Sequence, residues 1–407
     1  METKKLKEIA LDLKAKIEAG LKKDGEEILC LPTYISPQKT DVNGQAVVLD
    51  LGGTNYRIAR VDFAKGKSTI YPDNGWKRDM SEMKKDDYTQ ENLFKALTDP
   101  IDEIKLDKKE IPIGYCFSYA AKSLNDGDAE LIEWGKGVKS KNLKKMIGKR
   151  VGKPLLSYFN DEKKQKFTGI KVINDTVASL FAGLAKPGYD PNTTAYIGLI
   201  VGTGNNMAAL MRSDKIEKLD KSLREAKKYL PVNLESGNFH PKHLTIYDEM
   251  VDANSGNPGG DRFEKAISGM YLGEVFKSVY PLDEFEEGFD AQTLTTMLSY
   301  PAMCKEEYVR TARWIYERSA QLVAASVTGL ILVLLEHEPA TKTVLLTSEG
   351  SLFWSKNRKG TDYSEIVINE LHNLLREFGH GNVHVELNKE DNANLIGTAI
   401  AALSPQV

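Results

Sequence analysis

The sequence predicts an α/β fold in two lobes with a cleft between them, and three observations lead there. Residues 47–63 and 196–211 each read as an apolar strand, a glycine-and-threonine turn and a second apolar strand, so one hairpin design occurs twice. Helical and strand-like patterns alternate over most of the remaining chain. The length of 407 residues exceeds what a single hydrophobic core comfortably organises, which favours two or three domains.

From the N-terminus, Leu6, Ile9, Leu13, Ile17 and Leu21 recur every three or four residues, which predicts one amphipathic helix over residues 4–23. Residues 36–43 are polar and contain Pro37, so they read as a connector, with the first lobe beginning at Gly44. The first hairpin turns at Gly52, Gly53 and Thr54. Glycines let backbone N–H groups approach an anion closely, the Thr54 hydroxyl adds a donor, and Asp50 is placed to face a hydrated Mg²⁺. Taken alone, the segment is equally an ordinary tight turn. Residues 64–110 are rich in Lys and Asp and read as a solvated face of exposed helix and loop.

The strand-like segment 111–117 delivers Ser118, and Lys136 stands in a loop framed by Gly135 and Gly137. Val172 and Ile173 run into Asn174, Asp175 and Thr176, ahead of a small-residue helix over 177–184. A carboxylate there is either a helix N-cap or a base presented by a strand end. The second hairpin turns at Gly202, Thr203 and Gly204, with Asn206 just beyond. Glu235 and Glu264 each lie near a carboxamide, Asn233 and Asn257, and beside glycine-rich backbone. Each segment alone is no more than a turn; together they suit a polyol, whose hydroxyls need acceptors and amides on several sides.

Composition excludes several classes. The net charge is −3, and basic residues are scattered rather than banked, so neither nucleic acid nor a membrane is an expected partner. Cys30, Cys116 and Cys304 are odd in number and far apart, which supports neither a disulfide framework nor a zinc site. His240 and His243 have no third ligand at a suitable spacing and read as a surface pair. The longest apolar run, residues 322–335, has 14 residues, too few to span a bilayer, and reads as the buried end of a helix starting near Glu306. A cytoplasmic location is expected.

These segments, in this order, resemble the eukaryotic-type hexokinase family, within the superfamily that includes actin and the heat-shock chaperone ATPases. The resemblance begins at Leu31-Pro32-Thr33-Tyr34 and takes in residues 50–55, Phe117-Ser118, residues 134–137 and Asn174-Asp175-Thr176. It continues through residues 200–204, 232–235, 257–259 and 263–274 to Glu349-Gly350-Ser351, covering residues 5–400. It implies two ribonuclease-H-like lobes of the actin-like ATPase type, a small lobe at 44–173 and a large lobe made of 1–35 and 174–400. It also implies ATP as donor, Mg²⁺ brought with the ATP, and a hexose phosphorylated at its 6-hydroxyl, glucose first and mannose second.

By resemblance, Asp175 is the catalytic base and Lys136 faces the transferring group. Ser118, Lys136, Asn174, Asp175, Asn206, Glu235 and Glu264 match the family's sugar contacts. Asp50, Gly52, Gly53, Thr54, Asn55, Arg57, Gly202, Thr203, Gly204, Gly350 and Ser351 match its nucleotide contacts, and no metal held by protein ligands is implied. Sugar-driven closure of the lobes is expected to keep water from competing for the phosphoryl group.

Four departures stand out: Tyr119-Ala120 where the family has Phe-Pro, Gly135 for Thr, Glu349 for Asp, and residues 391–397 in place of a glycine-and-serine segment. Two rivals remain. An actin-like or chaperone-like ATPase needs no sugar set, and a hexose sensor without turnover needs no Asp175. The preferred hexose, product inhibition, cooperativity and subunit number are left open by the sequence.

Overall fold

The computed structural model describes residues 1–36, 42–53, 55–106, 110–135, 138–163, 166–185, 193–286 and 288–406. Its strands are β1 (Leu31–Pro32), β2 (Gly44–Leu51), β3 (Asn55–Ala64), β4 (Lys67–Asp79), β5 (Glu110–Phe117), β6 (Ala121–Ser123), β7 (Ala129–Leu131), β8 (Lys166–Ile173), β9 (Thr194–Val201), β10 (Asn205–Arg212), β11 (Tyr229–Asn233), β12 (Thr343–Glu349) and β13 (His384–Asn388). Its helices are α1 (Thr3–Lys22), α2 (Gln90–Thr98), α3 (Lys141–Lys144), α4 (Lys153–Glu162), α5 (Asp175–Leu184), α6 (Lys221–Glu225), α7 (Ile246–Ala253), α8 (Arg262–Ile267), α9 (Gly269–Val279), α10 (Ala291–Ser299), α11 (Glu306–His337), α12 (Tyr363–Glu377) and α13 (Ala393–Leu403).

Two sheets carry the architecture, one ordered β4-β3-β2-β5-β8 and the other β1-β11-β10-β9-β12-β13. In the first, β3 is antiparallel to β2 and β4, while β5 and β8 continue the sheet in parallel from β2. In the second, β10 is antiparallel to β9 and β11, while β12 and β13 continue in parallel from β9. The same five-strand order therefore occurs twice, and the two predicted hairpins, β2–β3 and β9–β10, hold equivalent places in it.

Strand alternation divides the side chains among three cores. Along β2, Val47, Leu49 and Leu51 enter a core with α2 and α4, whereas Ala46 and Val48 point the other way. That other face belongs to a central core, which also holds Tyr196, Ala208 and Leu345 from the second sheet together with α5 and α13. The third core lies behind the second sheet, where α1, α11 and α12 pack. All five periodic residues of α1 are buried, as the spacing predicts. Helix α11 has the length and hydropathy of a membrane span, but 89% of its most apolar stretch is buried inside the protein, which makes it a core helix.

The two central helices cross between the sheets. Helix α5 follows β8 of the first sheet yet lies across β9, β10 and β12 of the second. Helix α13 follows β13 of the second sheet yet lies across β2, β5 and β8 of the first. They touch at Gly397, where an added Cβ would sit 1.8 Å from the Ala178 carbonyl oxygen, so only glycine permits the approach. The sequence reading places residues up to 400 in the lobe that starts at 174. In the structure, 393–403 covers the first sheet instead, because an apolar helical pattern marks a buried helix without naming the sheet it covers. Most of the expected connector, residues 37–41, lies outside the described residues. The stretch 64–110, expected to be helix and loop, also contributes the exposed edge strand β4.

Candidate active site

Counting in twos along the strands brings polar groups to the cleft. From Ala46 and Val48, the next residue on the central face of β2 is Asp50; from Leu210 and Ala208 it is Asn206 on β10; from Leu345 it runs through Thr347 to Glu349 on β12. Arg57, opposite Asp50 in the β2–β3 ladder, donates from Nε to Asp50 Oδ2 at 2.8 Å, with Nη2 at 2.6 Å from the same oxygen. Its Nη1 donates to Asn392 Oδ1 at 3.1 Å. Asn392 adopts a left-handed φ of 61° just before α13 and donates from Nδ2 to Asn74 Oδ1 at 2.9 Å.

The first glycine turn is closed by the Gly52 N–H donating to the Asn55 carbonyl at 2.8 Å. Ser118, buried, hangs beside it through its N–H on the Leu51 carbonyl at 3.1 Å, and the Tyr119 hydroxyl donates to the Gly52 carbonyl at 3.2 Å. Gly53 is half-buried in the turn, and Asn55 is exposed. The rings of Phe117, Tyr119 and Trp134 pack edge to face, and Trp134 Nε1 donates to the Leu143 carbonyl at 2.8 Å, which fixes the start of the loop carrying Gly135. Thr54, Lys136 and Gly137 lie outside the described residues.

At the start of α5 the N-cap reading falls on Asn174 and not on Asp175. Asn174 is the N-cap, its Oδ1 accepting from the Thr176 N–H at 2.8 Å. Asp175 is the first helical residue, half-buried, with Oδ1 also 2.8 Å from the Thr176 nitrogen.

The second glycine turn rests on α9. The Gly202 carbonyl accepts from the Gly269 N–H at 2.7 Å, and the Thr203 carbonyl from the Met270 N–H at 3.3 Å. Gly350, with φ of 112°, presses against the same turn, and a Cβ there would lie 2.1 Å from the Val201 carbonyl oxygen. Ser351 is exposed beside it. Glu264 Oε2 accepts from the Asn205 N–H at 2.9 Å and occupies the space that a side chain at Gly204 would need.

Asn206 is committed to the protein. Its Nδ2 donates to Asn233 Oδ1 at 2.8 Å, and its Oδ1 accepts from the Met207 and Ser236 N–H groups at 2.7 and 3.2 Å. Asn233 in turn donates to Glu235 Oε1 at 2.7 Å, and Glu235 has a left-handed φ of 54°. The buried Asn233, expected only as a carboxamide beside Glu235, is the link between Asn206 and Glu235. Asn257 is a loop residue whose carboxamide donates to Asp261 at 2.8 Å rather than offering itself to a ligand. Leu31, Thr33, Phe117, Tyr119, Asn174 and Asn233 line one cavity, so residues of both sheets meet around it.

Electrostatics ties the two turns together. Burial pushes the Glu349 carboxyl up to about 7; the charges of Asp50 and Asp175 add to the rise, while Arg57 and the Asn394 N–H, donating at 3.1 Å, oppose it. Burial also holds the Cys116 thiol neutral, with Asp50 and Asp175 adding to the effect. The charges of Asp50 and Asp175 thus act on both Glu349 and Cys116. Among the described residues, no set of three His, Cys, Asp or Glu side chains stands close enough to grip a metal ion directly.

Two family models, each described as hexokinase, match residues 1–184 and 196–281. Human hexokinase HKDC1 is 32% identical over a stretch covering 67% of this chain and 30% of that protein. Hexokinase-1 of Arabidopsis thaliana is 26% identical over 98% of this chain and 88% of that protein. The match thus spans under a third of the human relative's length and most of the plant one's. The structure of Schistosoma mansoni hexokinase complexed with glucose has a TM-score of 0.77 and 24% identity, covering 99% of this chain and 96% of that one, a likeness of fold.

Proposed function

This chain belongs to the hexokinase family, and on that premise we propose that it transfers the γ-phosphoryl group of ATP to the 6-hydroxyl of a hexose, releasing ADP and hexose 6-phosphate. The observation that carries the reading is the placing of Asp175 at the start of α5, next to Asn174, which lines one cavity together with Phe117 and Tyr119 from the first sheet's side and Thr33 and Asn233 from the second's. Asp175 takes the proton of the attacking hydroxyl, a role worth about 10²–10⁴ in rate. Phosphoryl transfer otherwise asks for positioning and charge neutralisation, roles this reading gives to the backbone of the two glycine turns and to Arg57. Glu235 and Glu264 accept from sugar hydroxyls, Ser118 and Asn174 add further sugar contacts, and Asn206 with Asn233 holds Glu235 in its direction. The resemblance assigns Lys136 to the transferring group.

Mg²⁺ fits this donor set in one particular way. The carboxylates are hard oxygen donors of the type it prefers, and an ion that arrives on ATP keeps several of its waters. Asp50 would hold such a hydrated ion, which when bound neutralises phosphate charge. Glucose is the first candidate sugar and mannose the second; that a hexokinase of the same fold is complexed with glucose supports the first choice.

The test is a coupled assay of ADP release, with glucose, mannose, fructose and N-acetylglucosamine offered in turn to the wild type and to Asp175→Asn. At least one sugar should stimulate the wild type, and the variant should lose about 10²-fold or more in kcat while its glucose affinity stays within a few-fold. Sugar binding without turnover in the wild type would identify a sensor, and turnover indifferent to every sugar an ATPase.

A further inference from the structure

We propose that Asp252, in the last turn of α7, is a positioning residue for the sugar: through Arg262 and Lys265 it fixes the direction in which Glu264 faces the cleft. The inference rests on the hexose-binding reading above. Helix α8, which carries Glu264, has only six residues and is entered through Asp261 at a left-handed φ of 47°. So short a helix has little orientation of its own. Two of its residues, one on each side of Glu264, reach back to the same carboxylate. Lys265 Nζ donates to Asp252 Oδ1 at 2.7 Å, and Arg262 Nη1 donates to Asp252 Oδ2 at 3.1 Å.

The network is buried, with side-chain exposures of 2% for Lys265, 8% for Arg262 and 9% for Asp252. The Gly259 N–H donates to both Asp252 oxygens at 3.1 and 3.0 Å, Lys265 also donates to the Asn257 carbonyl at 2.8 Å, and Arg262 pairs with Glu249. Asp252 thus ties the loop entering α8 and both flanks of Glu264 to α7. On its other side Glu264 meets the second glycine turn, accepting from Asn205 and filling the space beside Gly204. A small rotation of α8 would carry its carboxylate off both the turn and the sugar. Asp252 itself touches neither substrate, so its removal should act on sugar affinity through Glu264.

The experiment varies glucose and ATP separately in steady-state kinetics of the wild type, Asp252→Asn and Asp252→Glu, with glucose affinity measured directly by calorimetry. In Asp252→Asn the KM and Kd for glucose should rise about tenfold while the KM for ATP stays within about twofold, and Asp252→Glu should recover part of the loss. Removing one partner of a buried ion pair leaves an uncompensated charge, so Asp252→Asn combined with Lys265→Met serves where the single variant does not fold. That double variant should show the same glucose-selective loss. Equal rises in both KM values, or an unchanged glucose Kd in a folded variant, would overturn the proposal. A wild type that neither binds nor responds to any of the four sugars would overturn the functional reading itself, and is recognised before any substitution is made.

Discussion

Glu349 keeps its proton to higher pH in the folded protein than in the unfolded chain, because burial and the charges of Asp50 and Asp175 oppose its ionisation. Its value is about 7 in the fold against an ordinary 4.5, so between those limits the folded state binds the extra proton. Stability from this group is complete below the lower value and is lost as pH rises through the upper one, at up to about 1.4 kcal/mol per pH unit. Between pH 5 and 8, urea unfolding of the nucleotide-free wild type should therefore lose about 1–3 kcal/mol more than that of Glu349→Gln. Equal losses would mean that Glu349 ionises freely. At this scale the sequence was readable wherever strand alternation governs, since the period that buries Val48 and Leu345 also aims Asp50 and Glu349. It was unreadable for the Arg57–Asn392 bond, whose partners are 335 positions apart and whose geometry depends on a left-handed turn at an asparagine.

Among the elements, α5 and α13 meet so closely that a methyl group at Gly397 has no room: its Cβ would stand 1.8 Å from a backbone oxygen, and a backbone cannot rotate away as a side chain can. Gly397→Ala should cost about 2–3 kcal/mol in denaturant unfolding, while a change below about 0.5 kcal/mol would mean the helices part without penalty. The hairpins and α1 were legible because their patterns are local. The partner sheet of α13 was not, since one apolar stripe suits either sheet, and β4 was hidden because an exposed edge strand has no buried face to write into the sequence.

For the whole molecule, the doubled hairpin already implied two lobes and a cleft, and the proposed function draws its groups from both sheets. Asp50 comes from one sheet and Glu349 from the other, so completing the site requires both to be in register. Across the cleft, Lys122 and Asp24 stand 3.7 Å apart with side chains 57% and 66% exposed, a pairing worth about 0–1 kcal/mol, too little to hold the lobes shut unaided. Closure should therefore depend on the sugar, and ADP release without hexose should run at least about 10²-fold below the stimulated rate. Comparable rates would contradict that coupling. The crossed placement of α13 has one more consequence, for biosynthesis. Residues 393–403 are translated after every strand of both sheets, so until they leave the ribosome the central core around Val48 and Ile173 lacks the share that α13 contributes. Until that segment emerges, the halves are joined but unsealed, and it is then that the chain most needs a chaperone.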